Sequence, residues 1–168
     1  FSYSTTQFCT GGADPTPTIS GTTGGSFSSG SGLSIDASTG VIDLSASAAG
    51  SYTVSYLTSS NLCAVTGTYN IFITSDESAI ISYASSNYCR SGVDPTPSLS
   101  GVTGGTFSAP SGLSINSSTG QIDLSNSTAG TYTVSYLTSS NLCATTSTFD
   151  VTIINDEDGS FSYNATEY

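Results

Sequence analysis

Apolar and polar residues alternate along short stretches of this chain, and the alternation predicts β-strands. In the stretch YTVSY, Tyr52, Val54 and Tyr56 share one face, whereas Thr53 and Ser55 share the other. Successive side chains of a strand point to opposite faces, so we expect the first face inside and the second in solvent. The stretch TYNIFIT continues the pattern after the turn SSNLC.

Glycine and proline mark the turns between further strands. The stretch GLSIDASTGVIDLS predicts two short strands joined at ASTG, where Gly40 is expected in the left-handed conformation of a tight hairpin. In DPTPTISG, Pro15 and Pro17 cannot donate to a ladder, which places this stretch at an edge or a strand start. Together with TGGSFS and the leading FSYSTTQF, the pattern predicts about seven short strands in roughly 80 residues, a small β-sandwich.

The chain contains an internal repeat with a period of 80 residues. YTVSYLTSSNLCA occurs twice, starting at Tyr52 and Tyr132, and about 48 of the 80 aligned positions are identical without a gap. We therefore predict two modules, residues 1–80 and 81–160. FSYNATEY, residues 161–168, matches the opening FSYSTTQF and is predicted to be the first strand of a third repeat or a donor strand. Its residues are Phe161, Ser162, Tyr163, Asn164, Ala165, Thr166, Glu167 and Tyr168.

The repeated motifs carry a resemblance to a known group of domains. GLSIDASTGVIDLS followed by AGSYTVSYLTSS resembles the Ig-like and cadherin-like repeats of large secreted bacterial surface proteins. The wider frame, a cysteine followed by DPTP, TGG and a hairpin with a second cysteine, is similar to repeats of Bacteroidetes-type adhesins and filaments. The resemblance implies an all-β fold with two tandem Ig-like β-sandwich modules of about seven strands each, plus one extra terminal strand.

Charge narrows the range of partners. The chain has 12 acidic residues, one basic residue and no histidine, for a net charge of -11. Nucleic acid and anionic membranes are repelled by such a chain, so neither is expected as a partner. No apolar run approaches the roughly 18 residues that span a bilayer. Because the chain lacks an initiating Met and a signal-type segment, we expect a mature product or a fragment of a longer protein.

Four cysteines, at positions 9, 63, 89 and 143, are predicted to form disulfides, which indicates an extracellular or cell-surface location. The favoured pairing joins Cys9 to Cys63 and Cys89 to Cys143, because each bond then lies inside one module. In the alternative, TYNIFIT and ISYASSNYC form a hairpin about SDESA, which brings Cys63 to Cys89. Cys143 would then pair with Cys9 of a neighbouring chain, and disulfides would link successive subunits.

Acidic residues suggest two further chemistries. Clusters between the modules lie where cadherin-like arrays hold calcium, and carboxylates are calcium ligands. The calcium candidates are Asp76, Glu77, Asp156, Glu157 and Asp158. Asp36 and Asp43 flank one hairpin as a pair of acids would flank a sugar bond, but Asn116 replaces the first of them in the second module. Without histidine, lysine or a nucleophile motif, we expect no enzyme activity and no cofactor other than this alternative calcium.

Glycosylation is a further prediction. Asn-x-Ser/Thr sequons occur at Asn116, Asn126 and Asn164, although such sequons also arise by chance in a chain so rich in serine and threonine. The threonine and proline-rich DPTP stretches add O-glycosylation candidates at Thr16, Thr18 and Thr96.

These observations favour an extracellular structural protein, whose tandem repeats assemble head to tail with further copies of the chain into a filament or cell-surface fibre. Strand donation would be one route of assembly, because the first strand carries no charge that would deter edge pairing. Two alternatives stay open. One is an adhesin repeat that binds glycans or another surface, with calcium in one version, and the other is a passive stalk spacer.

Overall fold

Short β-strands and glycine-containing turns make up the chain, as the alternation of side chains predicts. A computed structural model describes residues 1–59, 63–139, 142–157 and 159–160, and within these ranges it contains strands and no helix. The chain divides into two compact units. The first comprises Phe1–Glu77 together with Ser140–Thr145, and the second comprises Ser78–Ser139 together with Thr146–Tyr168. The all-β prediction is confirmed.

The first unit contains one four-stranded sheet and one two-stranded hairpin. The larger sheet has the strand order β1-β6-β5-β2, with β1 parallel to β6 and the other pairs antiparallel, and the hairpin joins β3 to β4. The strands are β1 Gln7–Cys9, β2 Ser26–Ser28, β3 Ser34–Ile35, β4 Ile42–Asp43, β5 Gly50–Leu57 and β6 Thr66–Thr74.

The second unit repeats this arrangement 80 residues later and adds one strand pair. Its larger sheet has the order β10-β13-β14-β8, the hairpin joins β11 to β12, and β7 pairs with β9. The strands are β7 Ala79–Ser82, β8 Asn87–Cys89, β9 Ser98–Gly101, β10 Thr106–Ser108, β11 Ser114–Ile115, β12 Ile122–Asp123, β13 Gly130–Leu137 and β14 Thr146–Ile154.

The leading segment of each repeat differs from the continuous strand that its sequence suggests. In the first unit only Gln7–Cys9 forms a strand, and Ser2 makes an isolated bridge to Thr18. In the second unit the equivalent segment divides into β7 and β8. Within the described residues the first unit therefore has six strands and the second has eight. Each count differs by one from the predicted number of about seven.

The core of each unit lies between the central hairpin of the large sheet and the small hairpin. Val54 and Tyr56 of β5 are buried, whereas Tyr52 is partly exposed, so the predicted inward face is confirmed toward the C-terminal end of the strand. These side chains pack with Ile42 and Ile73, both fully buried. Burial of an aliphatic side chain of this size stabilises the fold by roughly 1.5 to 3 kcal/mol, so this cluster accounts for a large share of the unit's stability.

The small hairpin contains the left-handed glycine that the sequence predicts. Gly40 has a φ of +73°, and a Cβ placed on it would lie 2.7 Å from the Pro17 ring and 2.8 Å from the Phe27 ring. Its carbonyl accepts a hydrogen bond of 2.6 Å from the buried Tyr3 hydroxyl. Glycine is therefore required here for its conformation and for the close packing, and Tyr3 anchors the N-terminal segment to this turn.

Candidate functional site

The cysteine linkage site is centred on a disulfide between Cys9 and Cys143, residues separated by 134 positions in sequence, with a Cα–Cα distance of 5.5 Å. Cys9 is the last residue of β1 and lies opposite Thr74, the last residue of β6. Parallel pairing thus places Cys9 at the C-terminal end of β6, beside the segment Asp76–Glu77 that follows it.

Hydrogen bonds hold Cys143 and Thr145 at this site. The Glu77 N–H donates to the Cys143 carbonyl at 3.0 Å, and the Thr145 hydroxyl donates to the Glu77 carbonyl at 2.6 Å. A groove of about 350 Å³ lies among these residues, with Ala13 and Leu142 in its walls, and Cys143 is buried. The site therefore consists of a disulfide in a partly apolar groove, with two hydrogen bonds beside it.

The favoured pairing of Cys9 with Cys63 is wrong, because β1 runs parallel to β6. Cys63 precedes the start of β6, while Cys9 lies opposite its last residue. The nine residues of β6 separate the two cysteines by roughly 30 Å, and a disulfide requires Cα atoms within about 7 Å. The same geometry opposes a bond from Cys89 to Cys143, since Cys89 lies opposite the last residue of β14 and Cys143 precedes its first.

The alternative pairing is correct in joining Cys143 to Cys9, and its other features are wrong. Cys143 does pair with Cys9, but within one chain and not between neighbours. The hairpin that would bring Cys63 to Cys89 does not form, because β7 pairs with β9 and β8 pairs with β14. Cys63 and Cys89 are both exposed, and the structure does not join them to each other.

Within the described part of the chain, the calcium candidates by themselves form no group of three potential metal ligands. The one group of potential metal ligands found there is Cys9, Asp76 and Cys143, and both of its sulfur atoms belong to the disulfide. Asp156 accepts hydrogen bonds from the Ser91 hydroxyl at 2.7 Å and the Ser91 N–H at 3.0 Å. These bonds lower the pKa of Asp156. The Glu77 backbone forms hydrogen bonds with Cys143 and Thr145 as described above, and Asp158 lies outside the described residues.

Asp36 and Asp43, the acid pair of the small hairpin, accept hydrogen bonds within turns of the backbone. Asp36 accepts hydrogen bonds from the N–H groups of Thr39 and Ser38, which lower its pKa. Asp43 accepts from the Ser45 hydroxyl and the Ala46 N–H, which lower its pKa as well. In the second repeat, the amide oxygen of Asn116 accepts the same two backbone bonds as Asp36 does. The shared requirement at this position is an acceptor oxygen.

The glycosylation candidates within the described residues are accessible. Asn116 and Asn126 are exposed, as are Thr16, Thr18 and Thr96. The side-chain amide of Asn126 donates to Asp123 at 2.6 Å, and this bond lowers the pKa of Asp123. Asn164 lies outside the described residues, as does the whole segment 161–168. Modification at any of these positions stays a prediction.

A second surface feature, which the sequence analysis did not identify, is a groove of about 550 Å³ on the first unit. Tyr52, Asn70 and Phe72 line it, and Phe72 is about half exposed. The Thr53 hydroxyl donates to the amide oxygen of Asn70 at 2.8 Å, which orients that amide. Phe72 occupies an outward position in the alternation of side chains along β6. This position was the signal in the sequence for an exposed aromatic residue. The second repeat has Thr152 in its place.

The strand topology and core show an all-β fold of the Ig-like sandwich type. No protein-family model matches the sequence, and no curated protein matches it either. Among the described residues there is no helix long and apolar enough to cross a membrane.

Several solved Ig-like and cadherin-like structures are similar to the chain. One is a SusE-like, surface-located polysaccharide-binding protein from the heparin utilisation locus of Bacteroides thetaiotaomicron, at 16% identity and a TM-score of 0.37, covering 78% of this chain and 29% of that one. The human desmocollin-1 ectodomain has 10% identity and a TM-score of 0.36, with coverage of 94% and 42%. Mouse protocadherin-24 has 13% identity and a TM-score of 0.33, with coverage of 94% and 64%. The chain thus spans less than two-thirds of each of these proteins.

Proposed function

We propose that this chain is a non-catalytic, extracellular structural protein whose repeats, residues 1–80 and 81–160, assemble head to tail into a filament or cell-surface fibre. The observation that carries the proposal is the disulfide from Cys9 to Cys143, which ties the first repeat to a segment that lies in the second repeat of the sequence. A bond confined to one module would stabilise that module alone. This bond instead cross-links the first repeat of the sequence to the second, in addition to the backbone that joins them.

Such a bond limits how far the chain extends under mechanical tension. When a chain is pulled from its ends, the force passes from Cys9 to Cys143 through the disulfide and bypasses every residue between them. Strands β2 to β13 lie inside this cross-link, together with both small hairpins. The residues between the two cysteines are therefore protected from extension, whereas β1 and β14, which contribute Phe8, Val151 and Ile153 to the cores, lie outside the cross-link. A fibre exposed to flow or traction benefits from this arrangement, whereas a freely diffusing binding domain does not require it.

The segment 161–168 is proposed as the first strand of a further repeat or as a donor strand. Its first three residues match Phe1 to Tyr3, which contribute to the core of the first unit. Phe1 packs edge-on against Phe27 with ring centroids 5.4 Å apart, and Tyr3 bonds the Gly40 carbonyl. Tyr83 makes the same bond to Gly120 in the second unit. A segment with Phe161 and Tyr163 therefore carries the side chains that anchor the leading segment of a repeat.

Electron microscopy of the purified, oxidised chain tests this function. We expect regular fibres with an axial repeat from the full chain. A variant that ends at Ser160 forms no fibres if segment 161–168 is donated between copies, and the full chain with Tyr163→Phe serves as a conservative control. Dispersed full-length chains under conditions that preserve the fold, together with glycan binding, would replace this function by the adhesin alternative. Dispersed chains without any ligand would favour a passive spacer.

The groove at Tyr52, Asn70 and Phe72 is the observation that favours glycan binding as a second candidate function. Aromatic surface beside a few fixed polar groups is typical of ligand sites. A glycan array probed with the wild type and with Phe72→Ala tests it, and binding unaffected by this exchange would argue against the groove. Removal of calcium with EGTA, followed by thermal unfolding, tests the calcium version, since an unchanged unfolding temperature would exclude a stabilising calcium ion.

A further inference from the structure

An exposed aromatic ring on the first unit lies between hydrogen-bonding side chains of two neighbouring strands. Phe72 of β6 pairs with Gln7 of β1 on one side and with Ser51 of β5 on the other. Paired residues of neighbouring strands point to the same face of a sheet, about 5 Å apart. All three residues are exposed, and all three line the groove of about 550 Å³. The groove therefore presents an apolar ring flanked by an amide and a hydroxyl.

A second amide lies on the same face, two residues away along β6. Asn70 pairs with Thr53, whose hydroxyl donates to the Asn70 amide oxygen at 2.8 Å. This bond fixes the orientation of the amide and leaves its N–H groups as donors. Among the described residues, no hydrogen bond engages the side-chain amide of Gln7 or the hydroxyl of Ser51. The groove thus offers polar groups that the fold itself does not use.

The groove is uncharged, although the chain as a whole is strongly acidic. Its described lining contains no Asp, Glu, Lys or Arg. The chain has a net charge of -11, and its single basic residue, Arg90, belongs to the second unit. A sulfated or uronic-acid glycan would meet repulsion with no cation in the groove to bind it. A bridging calcium ion would require carboxylates, which this lining lacks. The charge distribution therefore favours a neutral ligand.

The second unit lacks these features at the equivalent positions. Thr152 stands at the position of Phe72, and its hydroxyl is hydrogen-bonded to that of Thr131 at 3.1 Å. Asp150 stands at the position of Asn70, and its carboxylate accepts a hydrogen bond from a threonine hydroxyl at 2.6 Å. The equivalent face therefore has no ring, and it carries a negative charge. The two repeats thus differ in function at this face while they share a strand register.

We propose that this groove binds a neutral glycan built from pyranose rings with equatorial hydroxyls, one ring of which stacks on Phe72. Equatorial substituents leave only C–H groups on the two faces of such a ring, and these pack against the phenyl group. The hydroxyls project from the rim of the sugar, where Gln7, Ser51 and Asn70 supply hydrogen-bonding groups. Each chain has one such site. This inference rests on the glycan-binding candidate function proposed above and is independent of the filament.

Affinity electrophoresis of the full, oxidised chain tests the proposal. Native gels contain either hydroxyethyl cellulose, a neutral β-1,4-glucan, or hyaluronate, an anionic glycan, and mobilities are compared with those in a gel without glycan. We expect hydroxyethyl cellulose alone to retard the wild type, with EGTA present or absent. Phe72→Thr should raise the dissociation constant roughly tenfold, because it removes the stacking surface. Asn70→Asp should raise it about three- to tenfold, because it removes the amide donors.

The second repeat supplies the matched controls. Both substitutions introduce the residue that the second repeat carries at the same sheet position, so we expect the fold to be kept, as circular dichroism would verify. Thr152→Ala alters the equivalent face of the second unit and should leave the retardation unchanged.

Three results would overturn the proposal. Equal retardation of the wild type and Phe72→Thr would place glycan binding elsewhere on the chain. Retardation by hyaluronate in place of hydroxyethyl cellulose would reject a neutral ligand while leaving glycan binding intact. Absence of retardation in both gels would reject the site, and a glycan array would then decide the broader candidate function. Electron microscopy of the same preparations reports on the filament separately.

Discussion

Reduction of the disulfide between Cys9 and Cys143 should change the length that the chain releases under force. In the oxidised chain only residues 1–9 and 143–168 can be drawn out, a contour of roughly 110 Å at about 3.4 Å per residue. Reduction frees the segment between the two cysteines, which are 134 positions apart in sequence, and adds roughly 450 Å. Both contour lengths follow directly from the positions of the two cysteines in the sequence. They therefore do not depend on the stability of either unit.

Single-molecule force spectroscopy with handles at both ends measures these lengths. The double variant Cys9→Ser, Cys143→Ser should release the full length without a reductant. The variant Cys89→Ser keeps the disulfide and should behave as the oxidised wild type. A reductant added during the experiment should convert short traces into long ones, and the variant that lacks the bond should not respond.

Two results would refute this reasoning. If each repeat carried its own disulfide, from Cys9 to Cys63 and from Cys89 to Cys143, the oxidised chain would release roughly 200 Å instead of 110 Å. If the oxidised wild type released the same length as the reduced chain, no cross-link would lie in the path of the force. The second result would also remove the observation on which the structural function rests.

Three further predictions concern the small hairpin of the first unit. Tyr3→Phe leaves the Gly40 carbonyl buried without its donor, so the free energy of unfolding in urea, followed by circular dichroism, should fall by about 1 to 2 kcal/mol. Gly40→Ala should cost more than about 2 kcal/mol, because it adds a Cβ against two rings at a positive φ, whereas Gly30→Ala, with nothing within 4 Å, should be nearly neutral. The folded pKa of Asp36 is depressed, so its contribution to stability is present above the unfolded pKa of 3.8 and is lost as pH falls through the lower folded value. Asp36→Asn should keep the turn, as Asn116 does, and should weaken this acid dependence.

Each of these predictions has a result that would contradict it. A cost for Tyr3→Phe no larger than for the same exchange at an exposed tyrosine would mean that the hydroxyl contributes nothing. Equal effects of Gly40→Ala and Gly30→Ala would show that neither the backbone conformation nor the close packing matters there. An acid unfolding curve unchanged by Asp36→Asn would place the pH dependence at other carboxyl groups.

The sequence by itself determined the repeat, the strand pattern and the turn chemistry. The 80-residue register follows from identity at aligned positions, and the inward face of β5 follows from its alternation of side chains. Gly40 was identified because few residues other than glycine adopt a left-handed turn, and the structure places it there. These features are local, since each depends on residues within a few positions of one another.

The disulfide was decided by the tertiary structure alone. The cysteine spacings are the same whether β1 pairs with β6 in the parallel or the antiparallel direction, but the two directions place Cys9 at opposite ends of a nine-residue strand. The parallel direction brings Cys9 beside Glu77, where Cys143 is held by a backbone hydrogen bond. Sequence periodicity reports which face of a strand is buried, and it carries no information about the direction of a distant partner. The repeats can therefore be recognised from the sequence alone. The disulfide that links them can be located only once the pairing direction of the strands is known.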